Sequence, residues 1–270
     1  MLYSEISPSL HLSEFVKCFW SIEDSADTGG DSEPVVPDGC LEIVFNLADR
    51  FERIHGADNI ETQPVTIVAG QMRRSVLIRP TGLISLFGIR FHHAGAFPFF
   101  KFSLSELIDR IEDIDSIWGA DGREIEERIC QAETFAERVA IIETIFTALL
   151  ISSKKVDSSI IEVAQLIVRL NGAIPVRRVA KLIGVSERRL EREFKQKIGL
   201  SPKRFSRIIR FQKLLKSLEG SGSQGLLDKA LAFGYYDQAH MVHEFKEFAG
   251  KSPTTFIDDA HRISEAFTRN

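Results

Sequence analysis

Basic side chains dominate one face of a segment near the C-terminus. At about 100° per residue, Leu190, Phe194 and Ile198 fall within about 80° of one another and form an apolar stripe. Arg188 and Arg192 lie on the opposite side. Arginine hydrogen-bonds to guanine edges in the major groove of DNA, so this face has the chemistry of a nucleic-acid reader. The alternative is an ordinary solvated helix face.

The charge of the chain is divided unequally along its length. Residues 1–153 carry 12 Lys+Arg and 25 Asp+Glu, a net charge of −13, whereas residues 154–270 carry 22 and 13, a net charge of +9. A basic half predicts a polyanionic partner, and the simpler alternative is two domains that differ in charge.

The basic half contains an internal repeat. The pattern A-x-x-x-G occurs at 180–184 and again at 230–234. The pattern G-x-S-P occurs at 199–202 and again at 250–253. In each copy a glycine can end a first helix, while Ser186 or Asp237 can cap a second. Ser-Pro then opens a further helix. Two helices joined by a short glycine turn predict a helix-turn-helix unit in each copy.

The repeated half resembles the DNA-binding domain of the AraC/XylS family of bacterial transcription regulators over about residues 157–258. The resemblance implies two units joined by a linker helix at about residues 202–218, with a recognition helix from each unit in successive major grooves. The glycine-rich segment 220–225 departs from the family pattern and predicts loose coupling between the units.

The resemblance also assigns roles at matching positions. Base readout falls to Arg188, Glu191 and Arg192 in the first unit and to Gln238, His240 and His243 in the second. The candidates for contacts with the DNA backbone, chosen for their charge, are Lys181, Arg189, Lys195, Lys203, Arg204 and Arg207.

The acidic half begins with strands and ends with helices. Short β-branched and aromatic runs separated by turn residues fill 15–91 and predict an antiparallel β-barrel or jelly-roll. Apolar spacing of three and four residues then predicts helices over 104–114 and 124–151. The expected fold class is therefore a β-barrel or jelly-roll plus helices over 1–153, followed by an all-α domain with two helix-turn-helix units over 154–270.

The segments 35–47 and 86–100 resemble, more weakly, the cupin-like sensor that accompanies this DNA-binding domain. This resemblance implies a small effector and helices that mediate dimerisation. Trp20, Phe45, Phe87 and Phe91 are the candidates for an effector pocket, with simple filling of the core as the alternative. Arg73, Arg74 and Arg79 form a basic cluster in this acidic half and suit either an anionic effector or the surface.

The histidines and cysteines match no catalytic or metal pattern. His92 and His93 are adjacent, so on a strand they would point to opposite faces. Cys18, Cys40 and Cys130 are isolated and predict reduced thiols. We therefore predict no enzyme activity, no cofactor and no metal. The weaker alternatives are a metal-dependent sensor and a repair protein whose cysteine accepts an alkyl group.

The chain begins without the features of a signal peptide and has no apolar run long enough to span a membrane, which predicts a cytoplasmic protein. The predicted partners are double-stranded DNA, a small-molecule effector, RNA polymerase and a second copy of the chain through residues 103–151. The alternative is an effector-independent regulator controlled by a protein partner.

Overall fold

The structure is a computed structural model, which describes residues 1–24, 31–55, 59–153, 158–218 and 226–258. The domain boundary predicted after residue 153 borders residues 154–157, and the glycine-rich segment 220–225 was predicted to be a loose linker. Both segments lie outside the described residues.

The described residues of the N-terminal half contain two antiparallel sheets, one with strand order β1-β2-β9-β4-β7-β10 and one with order β3-β8-β5-β6. The strands are β1 (Leu2–Ile6), β2 (Val16–Asp24), β3 (Glu33–Val35), β4 (Glu42–Asn46), β5 (Phe51–Ile54), β6 (Ile60–Thr62), β7 (Thr66–Ala69), β8 (Val76–Pro80), β9 (Ile84–Phe91) and β10 (Ile111–Asp113).

The six-stranded sheet is buried on both faces. One face packs on the small sheet, where Trp20 and Leu86 meet Phe51 and Ile78. The opposite face packs on helices, because side chains alternate along each strand. Across from Trp20 the paired residue is Gly88, where a Cβ atom would lie 2.0 Å from the indole ring.

The segment predicted as one helix over 104–114 is irregular instead. A 3₁₀ helix spans Leu104–Leu107, Asp109 follows with a positive φ of 57°, and Ile111–Asp113 pair with β7. The helical spacing of Leu107, Ile108 and Ile111 was therefore misleading. The left-handed conformation of Asp109 ends the helix, and the exposed edge of β7 forms hydrogen bonds with Ile111–Asp113.

Within the described residues, three α-helices complete the N-terminal half: α1 (Ile114–Trp118), α2 (Ala120–Gln131) and α3 (Phe135–Ser152). The long helix predicted over 124–151 is interrupted because Thr134 caps α3 with a capping box that includes Glu137. Val139, Ile142 and Phe146 of α3 are buried against the sheet. This face of α3 therefore packs within its own chain.

The described part of the C-terminal half is helical, as predicted. The helices are α4 (Ser158–Arg169), α5 (Val176–Leu182), α6 (Glu187–Lys197), α7 (Pro202–Leu218), α8 (Leu226–Ala232), α9 (Gln238–Ala249) and α10 (Pro253–Asp258).

The two repeats have the same local geometry. Gly184 has φ 71° and Gly234 has φ 79°, a backbone region in which glycine alone is unstrained. After each glycine, the next backbone N–H donates to the alanine carbonyl that opens the A-x-x-x-G pattern, at 3.0 Å in the first copy and 2.9 Å in the second. The predicted caps are confirmed, since Ser186 and Asp237 accept from the backbone at the starts of α6 and α9.

Side chains and loops of the two halves pack directly against each other. Gln212 of α7 donates to the Pro37 carbonyl at 2.6 Å, and the Ser75 N–H donates to the carbonyl of Phe248 at 2.8 Å. The turn at Gly199 lies against the 3₁₀ helix of the β half. One apolar cluster runs through both halves, so each recognition unit is supported partly by the N-terminal half.

Candidate DNA-binding surface

The predicted reading face of the first unit is free to meet a ligand. Leu190 and Phe194 anchor α6 in the core, while Arg188, Glu191 and Arg192 are exposed on the other side. The Arg192 side chain is 70% exposed and has a loose ion pair at 3.5 Å with its neighbour Glu193.

The second unit presents a less basic face. Met241 and Phe245 anchor α9, and Gln238, His240 and His243 are exposed. The Nδ1 atom of His240 accepts from the Tyr236 backbone at 3.3 Å. This ring is therefore partly engaged in local structure, whereas His243 sits in the open.

The six candidates for backbone contact separate into two groups. Lys181, Arg189, Lys195 and Lys203 are exposed. Arg204 and Arg207 are instead about three-quarters or more buried and bind carboxylates of α9. The structure therefore brings four of the six to the surface as available cations.

Arg204 and Arg207 belong to a cluster that joins the linker helix to the second recognition helix. Arg207 donates to Glu244 at 2.6 Å, Arg210 contacts both oxygens of Glu244 at 3.0 Å, and Glu247 pairs with Arg204 and Arg207. The Glu244 side chain is 1% exposed. We call these five residues the α7–α9 clamp.

Sequence reasoning missed the clamp, although the sequence contains a signal for it. Arg204, Arg207 and Arg210 recur every three residues on one face of α7, and Glu244 sits between the buried Met241 and Phe245. An acidic residue at that position needs a cationic partner, and the arginine row could have been identified as the source.

The clamp makes stability depend on pH. Burial alone would raise the pKa of Glu247, but hydrogen bonds from Arg207 and Arg204 outweigh it and lower the pKa from 4.5 to about 2. A lowered pKa contributes stability that is present above pH 4.5 and is lost as the pH falls towards 2. Between pH 4.5 and 2 we expect the free energy of unfolding to fall less in Glu247→Gln than in the parent protein. Urea denaturation at each pH measures this difference. Equal pH dependence in both proteins would contradict the role of this carboxylate.

A cleft of about 390 Å³ lies between the two halves. Its walls come from the turn after β3, from β9 and the residues that follow it, and from α4 and α7. Its lining includes Lys17, Cys40, Arg90, His92, His93, Ile161, Gln165, Val168, Gln212 and Lys213. Its volume is in the range of small-molecule sites.

The expectation that His92 and His93 point to opposite faces is wrong, because β9 ends at Phe91 and both histidines line the cleft. Cys40 Sγ lies 3.6 Å from His93 Nδ1. Burial raises the pKa of the Cys40 thiol and lowers that of His93, which disfavours the thiolate and the imidazolium. A neutral thiol is a poor nucleophile.

The four aromatic candidates for an effector pocket are buried but do not share one cavity. Trp20 faces the small sheet, while Phe45, Phe87 and Phe91 face the helices on the other side. Phe91 stacks on Phe146 of α3 at 5.7 Å between ring centroids. None of the four lines the cleft between the halves.

Within the described residues, no three His, Cys, Asp or Glu side chains are grouped so that they could hold a metal ion. Over the same residues, no helix is long and apolar enough to cross a membrane.

Two family models match the chain. Residues 4–113, which end at β10, match a domain of unknown function (DUF6597). Residues 179–259, which hold both repeats, match a helix-turn-helix domain.

A curated relative is the probable thc operon regulatory protein of Rhodococcus erythropolis, 34% identical over 83 residues. The match covers 30% of this chain and 25% of that relative, so the chain spans about a quarter of its length.

The solved structures that are similar include ToxT from Vibrio cholerae. The crystal structure with a bound unsaturated fatty acid has a TM-score of 0.46 at 11% identity, over 88% of this chain and 94% of that one. A complex with (E)-4-(8-methylnaphthalen-1-yl)but-3-enoic acid has a TM-score of 0.48 at 10% identity, over 93% and 98%. Likeness at this level transfers neither a ligand nor a residue role.

Three findings agree with one another. They are the match to a helix-turn-helix model, the similarity to an operon regulator, and the helix cap and glycine turn that occur in both repeats. Residues 179–259 of this chain are a helix-turn-helix domain similar to those of AraC-like transcription regulators, and they are joined to an N-terminal antiparallel β domain.

Proposed function

We propose that the protein is a sequence-specific DNA-binding transcription regulator, cytoplasmic and without enzyme activity. The observation that carries the proposal is the exposed Arg188, Glu191 and Arg192 face of α6, held by a buried stripe and repeated in geometry by α9. Arginine forks match guanine, and a carboxylate can accept from cytosine. In this proposal α6 and α9 enter successive major grooves and residues 154–270 form the DNA-binding domain.

Arg192→Ala tests base readout. We expect the variant to lose about 1–3 kcal/mol of binding free energy at the specific site and to accept other bases at one position. Lys195→Ala should instead weaken binding about equally on all sequences. Affinities of both variants, measured by fluorescence anisotropy on matched and mismatched duplexes, distinguish the two roles.

Arg128→Ala, which removes an exposed arginine of α2, is the matched control and should bind like the parent protein. If Arg192→Ala loses affinity equally on all duplexes, Arg192 contacts a phosphate and does not read a base.

We further propose that residues 1–153 are a sensor domain and that the cleft between the halves admits a small effector. Loops of the β half and helices of the DNA-binding half both line this cleft, so a molecule bound there contacts both. We expect a compound that raises the melting temperature of the full chain to lose its effect in Gln165→Trp, which narrows the cleft from the exposed face of α4. A compound that raises the melting temperature of the parent protein and of Gln165→Trp equally would show that the effector binds outside the cleft. A screen with no stabilising compound would favour control by a protein partner.

Dimerisation through residues 103–151 and contact with RNA polymerase complete the proposal. On α3 a stripe that includes Ala140, Thr144 and Ala148 is exposed, opposite the buried face. Ala148→Arg should convert a dimer to a monomer in light scattering if this stripe is the interface. A transcription assay with purified polymerase then distinguishes activation from repression.

A further inference from the structure

A second concave site, separate from the cleft, lies where the β half meets the ends of both recognition helices. We call this site the basic groove. It has a volume of about 720 Å³ and is lined by Arg53 of β5, the loop at 72–75, Lys195 of α6, the turn at 199–201 and Arg204 of α7. Among the described residues, five cationic side chains line it: Arg53, Arg73, Arg74, Lys195 and Arg204.

The carboxylates of the groove are already engaged. Among the described residues that line it, Asp109 and Glu247 are the acidic ones. Asp109 accepts from the Arg73 side chain at 2.6 Å and from its backbone N–H at 2.7 Å. Glu247 belongs to the α7–α9 clamp and pairs with Arg204.

Several cationic donors of the groove have no acceptor. Arg74 and Lys195 are exposed, and neither has a carboxylate partner in the part of the chain that the structure describes. Arg53 has a long contact of 3.4 Å to the Asp109 carbonyl, and its buried Nε has no hydrogen-bond partner there. The buried Nε of Arg204 is also unsatisfied within the same residues. An unsatisfied buried donor is costly, and positive charge gathered without counter-charge favours an anion.

The orientation of the arginines is fixed by the loop that holds them. Asp109 has a positive φ of 57°, and its N–H donates to the Gln71 carbonyl at 3.0 Å. This conformation lets one residue bind Arg73 through its carboxylate and Arg53 through its carbonyl. On the opposite wall, Arg204 donates to the Arg73 carbonyl and links the two halves. The groove is thus built from fixed parts of both halves.

We propose that the basic groove binds a small organic phosphate that carries two or more negative charges. Arginine forks match phosphate oxygens in pairs, and a lysine adds a point charge at the rim. The concave shape and the volume suit a small ligand. This inference goes beyond the proposed function and does not depend on it.

The test uses the full chain and inorganic pyrophosphate as the probe in isothermal titration calorimetry. We expect saturable binding of one pyrophosphate per chain. Arg74→Ala and Lys195→Ala should each weaken binding about tenfold or more, because each removes a charge-assisted contact. Both side chains are exposed, so both variants should fold. Arg128→Ala, whose arginine lies outside the groove, should bind like the parent protein.

Three results would overturn the inference. One is the absence of saturable binding of pyrophosphate up to about 1 mM. Another is equal affinity for succinate, because a site that does not prefer phosphate over a dicarboxylate belongs to another ligand class. The third is no response to pyrophosphate combined with a uniform loss of DNA affinity in Arg74→Ala, which would make the groove part of a DNA-backbone surface.

Discussion

Glu244→Ala is expected to lower the free energy of unfolding by about 3–5 kcal/mol, the usual cost of removing one partner of a buried ion pair. Glu244 is 1% exposed and accepts from both Arg207 and Arg210. Without its carboxylate, Arg210 loses its counter-charge and Arg207 keeps only Glu247, in a site that water barely reaches. The second recognition unit should loosen from the linker helix, so specific DNA binding should fall as well.

Chemical denaturation followed by far-ultraviolet circular dichroism measures this effect. Fluorescence is less suitable because Trp20 and Trp118, the two tryptophans of the chain, both lie in the N-terminal half. Glu247→Ala is the comparison, since that side chain is 24% exposed and should cost less. A loss below about 1 kcal/mol in Glu244→Ala would show that water or a rearranged carboxylate replaces Glu244.

DNA affinity is expected to fall about 150-fold between about 50 and 200 mM salt, if four cations neutralise phosphates and each contributes about 0.9 to the slope of log affinity against log salt. The four are Lys181, Arg189, Lys195 and Lys203, which the structure leaves exposed. If Arg204 and Arg207 also contacted phosphates, the loss would be about 2000-fold, with a slope near 5.4 instead of 3.6.

Titrations of one duplex across this salt range measure the slope. Lys203→Ala should reduce it by about one, and Arg204→Ala should leave it nearly unchanged because Arg204 is held by Glu247. A flat response would contradict DNA binding altogether. A slope near 5.4 would mean that the clamp opens when DNA binds.

The parts of the fold that the sequence predicts well are those that local chemistry determines. A glycine in a left-handed turn, a capping oxygen and an apolar stripe act within a few residues of one another. For this reason both helix-turn-helix units, including the caps at Ser186 and Asp237, follow from the sequence. The exposed arc of α6 follows from the same periodicity.

Contacts between distant segments could not be predicted in this way. Arg207 and Glu244 are 37 residues apart, and their pairing depends on how α7 crosses α9. The position of Glu244 beside Met241 and Phe245 indicates that a cation must pair with it. A row of arginines on α7, however, has the same appearance in the sequence whether it faces DNA or this carboxylate. Arg204 and Arg207 were therefore grouped with the exposed cations.

The N-terminal half shows the same limit. The spacing in 104–114 fits a helix, yet the free edge of β7 takes up Ile111–Asp113. The aromatic residues suggested one pocket, but alternation along the strands sends Trp20 to one face of the sheet and Phe45 to the other. The interdomain cleft and the basic groove arise only when the two halves meet.

Sequencing of genomic fragments captured by the full-length protein tests the central claim most directly. We expect one enriched motif with two half-elements about one helical turn apart, since α6 and α9 are proposed to read successive major grooves. The double variant Arg188→Ala/Arg192→Ala should lose one half-element while it still binds DNA weakly. Capture of fragments without a shared motif, or the same motif from the double variant, would contradict sequence-specific recognition by α6.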